Sequence, residues 1–105
     1  MSPTRNSILK VYQKNRTQGM TPLDRILHAY TKGMQAAEKK DEVKLRRILE
    51  GLISALDFSR NPIVPAAFLK LYRHCLAILE EGRYKEIRRI LLTLRSQFLK
   101  AAVQK

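Results

Sequence analysis

The 105-residue chain has little of what most function classes require. It has one cysteine, Cys75, so no disulfide can form within it. It has no tryptophan, and its four glycines and four prolines are scattered. That excludes a Gly-rich phosphate loop, and with few β-branched runs it excludes a sandwich or barrel. No apolar run approaches the ~20 residues of a membrane span. The opening Met-Ser-Pro-Thr-Arg-Asn-Ser has no apolar signal stretch, so the chain reads as cytoplasmic. Histidine occurs twice, at His28 and His74, in different segments. No His-Glu-x-x-His or Glu-x-x-His pattern and no Cys/His cluster accompanies them, so neither a metal nor any other cofactor is expected. Cys75 with a distant histidine is a weak nucleophile signal, and the chain does not read as an enzyme.

Acidic residues are also scarce. Nine stand against 21 Lys and Arg, giving a net charge of +12. Such a balance suits an anionic partner, be it nucleic acid, an anionic membrane surface or an acidic protein, although basic residues spread along a chain also serve solubility alone.

What the chain does have is helix formers. Ala, Leu, Lys, Arg, Glu and Gln dominate. Thr21-Pro22-Leu23-Asp24 is a capping start, and Leu23, Ile26, Leu27, Tyr30, Met34 and Ala37 follow at steps of three and four. A second stripe comprises Leu45, Ile48, Leu49, Leu52, Ile53 and Leu56, before a break at Phe58–Pro62. A third segment runs to Glu81, with Gly82 as its expected C′ residue. A fourth carries Tyr84, Ile87, Leu91, Leu94, Phe98 and Ala101 on one face.

The spacing predicts helices over 22–39, 42–57, 64–81 and 84–103. It predicts an all-α fold, an antiparallel up-down four-helix bundle spanning 21–105. Residues 1–20 are expected to make a short N-terminal arm or helix with a linker, with Ile8, Val11 and Tyr12 on one side of it. The expected core is Leu27, Tyr30, Ile48, Leu52, Phe68, Cys75, Leu79, Ile87, Leu91, Leu94 and Phe98.

Two faces carry more apolar surface than a bundle helix needs. The third segment is apolar over half its circumference, with Leu69 and Leu76 along one edge. That edge is either simply buried or borders a groove for another apolar helix. On the fourth, Leu92 and Leu99 stand away from the core stripe among Lys85, Arg88 and Arg95. Exposed leucines need no explanation singly, but together in a basic surround they form a candidate contact face.

The order of several short motifs resembles the FliS family of cytoplasmic flagellar export chaperones. The motifs are Tyr12-Gln-Lys-Asn, then Thr21-Pro22-Leu23-Asp24 and Tyr30, then Leu56-Asp57-Phe58, Leu71-Tyr72-Arg73 and Leu94-Arg95-Ser96-Gln97-Phe98. The resemblance spans residues 8–102. It implies a non-enzymatic bundle that holds a helical segment of a flagellin-like client and prevents premature assembly. It places Ile8 and Tyr12 on an arm that can lie in the client groove, and Tyr30 near that groove. With Leu69, Leu76, Arg88, Leu92, Arg95 and Leu99 these complete the expected client-binding set.

The family tends to be acidic, and this chain is basic. The client segment is therefore expected to be amphipathic and acidic, facing Arg88, Arg89 and Arg95. The expected state is a monomer or weak dimer with no membrane partner. The competing reading is a basic bundle binding nucleic acid through its phosphates.

Overall fold

The computed structural model describes residues 21–103. Ile8, Tyr12 and the rest of the expected arm lie outside the described residues. Four helices make up the fold, with no strand among the described residues: α1 (Pro22–Glu38), α2 (Glu42–Ser54), α3 (Ile63–Glu80) and α4 (Tyr84–Val103).

Helix α1 starts where its capping residues dictate. The Thr21 hydroxyl accepts from the Asp24 amide at 3.1 Å, and the Asp24 carboxylate accepts from the Thr21 amide at 3.3 Å. This reciprocal pair satisfies two amides that would otherwise lack partners.

Helices α1 and α3 both end in the same hydrogen-bond pattern. After α3, the Gly82 amide donates to Leu79 O at 2.9 Å and the Arg83 amide to Ile78 O at 3.2 Å, with Gly82 at φ +71°. After α1, the Lys40 amide donates to Ala37 O and the Asp41 amide to Ala36 O. Lys40 holds the left-handed conformation there, at φ +54°, without glycine's freedom. Asp41 then caps α2 by accepting from the Lys44 amide at 3.1 Å.

Helix α2 corrects the expected span. It stops at Ser54, not at residue 57. The Asp57 carboxylate accepts from both the amide and the hydroxyl of Ser59, and Asn61 accepts from the Ile63 amide at 3.0 Å. Side chains that bond locally in this way offer the backbone an alternative to the helix. The other three helices match their expected limits to within one residue.

The helices pack in sequence order, α1 on α2, α2 on α3 and α3 on α4, and the ring closes with α4 on α1. The α1–α4 contact is the most extensive and α3–α4 the least. Gly33 is the reason α1 and α4 come so close: a Cβ there would lie 2.7 Å from Leu91 Cδ1. Along this seam Tyr30 stacks against Phe98, Thr31 meets Arg95, Gly33 meets Leu91 and Glu38 meets Arg88.

Leu27, Tyr30, Leu52, Cys75, Leu79, Ile87, Leu91 and Leu94 are buried as expected, with Leu45, Leu49 and Ile78 beside them. Ile48, Phe68 and Phe98 are only half-buried, packed on the core from its margin. Phe68 sits between Tyr72 and Phe98, at centroid distances of 5.9 and 5.8 Å, where α3 and α4 make their thinnest contact.

Candidate functional site

Arg88, Leu92, Arg95 and Leu99 recur at helical steps along α4, and the first two open onto a cleft. This cleft lies between the end of α1 and the start of α4 and holds about 610 Å³. Its apolar wall is Ala37, Tyr84 and Leu92. Leu92 is 38% exposed, while Ile87, Leu91 and Leu94 of the same helix are buried. Around that wall stand Lys40, Lys85, Arg88 and Arg89, against one acid, Glu38.

The basic groups are not equivalent. Arg88 Nε donates to Glu38 Oε1 at 2.7 Å, which ties α4 to α1 and spends much of its charge locally. Arg95 Nε donates to Thr31 Oγ1 at 3.1 Å, and that hydroxyl donates to Leu27 O at 3.0 Å. Among the described residues, Lys40, Lys85 and Arg89 make no ion pair. They are the cations the cleft offers to an outside acid. Arg89 and Lys85 were legible from the α4 pattern. Lys40 was not, because it reaches the cleft from the turn after α1.

The remaining expected contact residues lie elsewhere. Leu69 and Leu76 are half-buried on α3 and do not border the cleft; Leu76 packs against the core. Arg95 and Leu99 lie further along α4 and are half-buried. Tyr30 has no exposed surface at all. Its hydroxyl is 2.7 Å from that of Tyr72, so in this arrangement it is a core residue and presents nothing to a partner.

Cys75 is fully buried, and burial, aided by the nearby Glu86 charge, pushes its thiol up to about 11 from its usual 9.0. A protonated, enclosed thiol is a poor nucleophile. Among the described residues no three His, Cys, Asp or Glu side chains come together as a metal cluster. None of the described helices is long and apolar enough to cross a membrane.

No protein-family model, no curated protein and no solved structure matches the chain.

Proposed function

We propose that the protein is a cytoplasmic, non-enzymatic chaperone resembling FliS, which binds an acidic amphipathic segment of a flagellin-like client. The observation that carries this reading is the cleft beside Leu92: an apolar wall left open by the chain's own packing, ringed by Lys40, Lys85 and Arg89. A helix docking there would bury its leucines against Ala37, Tyr84 and Leu92 while its acids meet the unpaired cations. Buried anchors supply most of the affinity in such contacts, and the charges select the partner and speed encounter.

The scaffold in this proposal is an up-down antiparallel bundle. The seam supports that arrangement: as α1 advances from Tyr30 through Thr31 and Gly33 to Glu38, its α4 partners descend from Phe98 through Arg95 and Leu91 to Arg88.

The test uses the purified full chain and a secreted flagellin-like protein from the same cell. Leu92→Asp is the informative substitution, since Leu92 is exposed and its loss leaves the core alone. Leu76→Asp is not, because Leu76 packs on the core and its loss would unfold the site. Binding lost in Leu92→Asp, with helix content unchanged and modest salt dependence, is the expected result. Binding that ignores Leu92→Asp, falls steeply with salt and yields to any polyanion would support phosphate recognition instead.

A further inference from the structure

A second apolar groove lies on the other flank of α1, between α1 and α2. It holds about 510 Å³, and none of the side chains lining it is acidic. Its floor is Ile26, Ala29, Ile48, Leu52 and Ala55. Ile48 belongs to the hydrophobic stripe of α2 yet is only half-buried, because it faces this opening. At Gly51 in the floor, an added Cβ would find nothing within 4 Å. No part of the described chain fills that space.

The rim is charged with one sign. Arg25 and Lys32 stand seven residues apart on α1, two turns along one face, and Lys44 stands on α2 opposite. Among the described residues none of the three makes an ion pair. Among the described residues the only arginines and lysines tied to acids are Arg46, Arg83 and Arg88, and none of these lines the groove. From Lys44 to Ala55 the groove follows α2 for ~16 Å, the length of about three helical turns.

We propose that this groove docks a second helix, one whose apolar stripe is flanked by Asp and Glu. Charge chooses this occupant over the alternatives. The chain's own residues 1–20 carry Arg5, Lys10, Lys14 and Arg16 and no acid, so they would meet a rim of their own sign. A second copy brings a net charge of +12 against +12. An acidic helix sets its leucines on the floor and its carboxylates against Arg25, Lys32 and Lys44. The site is separate from the Leu92 cleft and holds whether or not the partner is an export client.

The test is titration of the full chain with labelled helical peptides of about four turns carrying leucines on one face. One peptide has Glu on both flanks of the leucine stripe, and its counterpart has Lys. The Glu-flanked peptide should bind and the Lys-flanked one should not. Gly51→Phe adds a ring at the floor from a position where the added Cβ itself meets nothing within 4 Å, and should weaken binding by about tenfold or more. Lys32→Glu combined with Lys44→Glu should shift preference to the Lys-flanked peptide, which tests the rim even if Gly51→Phe folds poorly. Leu92→Asp should remove only the share of Glu-flanked peptide held by the other cleft, leaving binding that Gly51→Phe still weakens.

Three results would overturn the proposal. The peptides could bind equally well or not at all. Binding could be lost in Leu92→Asp but kept in Gly51→Phe, which would place the peptide in the other cleft. Or binding could emerge only after deletion of residues 1–16, which would make the chain's own segment the occupant.

Discussion

The hydroxyls of Tyr30 on α1 and Tyr72 on α3 meet at 2.7 Å inside the core. Both side chains are buried, and burial raises both phenols above their ordinary range. Each hydroxyl is the other's partner in an interior that offers little else that is polar. The pair joins two helices that are not neighbours in the ring, and Phe98 and Phe68 stack on its two rings.

Removing one hydroxyl should therefore cost more than removing both. Tyr72→Phe leaves the Tyr30 hydroxyl buried with no partner, at a cost of about 1–3 kcal/mol. The double replacement Tyr30→Phe with Tyr72→Phe should recover much of that loss. Denaturant unfolding of the four proteins gives the coupling directly. Additive single effects would show that the hydroxyls act independently.

Alkaline pH should destabilise the fold through Cys75. The thiol ionises near 9.0 in an exposed chain and is pushed up to about 11 when folded. Below pH 9 both states hold the proton, and the stabilisation is fully present. Between those values the unfolded chain releases its proton and the folded one does not, so stability falls as pH rises. The slope is at most about 1.4 kcal/mol per pH unit for one group. The two buried tyrosines extend the loss above pH 10. Unfolding midpoints from pH 8 to 11 should decline for the native chain and decline less for Cys75→Ala. Parallel profiles would rule out Cys75 as the source.

The two helical glycines should respond in opposite ways to alanine. Gly51 has open space around its missing side chain, so Gly51→Ala should stabilise α2 by about 0.5–1 kcal/mol. At Gly33 the new methyl would press on Leu91 Cδ1, and Leu91 is itself fully buried. Overpacking of this kind costs about 1–3 kcal/mol, enough to outweigh the same gain in helix propensity. Thermal melts should rank Gly51→Ala above the native chain and Gly33→Ala below it.

Arg89 and Arg88 should behave differently towards an acidic partner of the cleft. Arg89 has no ion pair, so Arg89→Glu should slow association and leave stability almost unchanged. Arg88→Glu also sets a like charge against Glu38, and should lower the melting temperature as well. Stopped-flow association at two salt concentrations, with melts of both variants, separates the two effects. Equal melting temperatures would mean that the Arg88–Glu38 contact contributes nothing to the fold.

Periodicity alone identified four helices, because an apolar residue every three or four positions has one way to face a core. The start of α1 was legible from Thr21 and Asp24, and the end of α3 from Gly82, since those residue types satisfy helix ends by local bonds. The early stop of α2 was not. It depends on Asp57 choosing Ser59 over another helical turn, a competition between local alternatives of similar energy. Lys40 was equally hidden: nothing in a lysine announces a left-handed backbone, and the turn before α2 imposes it.

Leu92 and Arg88 could be picked out because both stand on one helix, where sequence spacing is spatial spacing. Lys40 in the same cleft, and all of the α1–α2 groove, could not, because they join residues from different helices. Which leucine is left uncovered, which cation lacks an acid and which tyrosine is sealed in the core are properties of how helices sit against one another. The pattern along the chain determined which face each helix turns inward; only the packing of the helices decided how deeply Ile48, Phe68 and Phe98 are covered and what remains open between α1, α2 and α4.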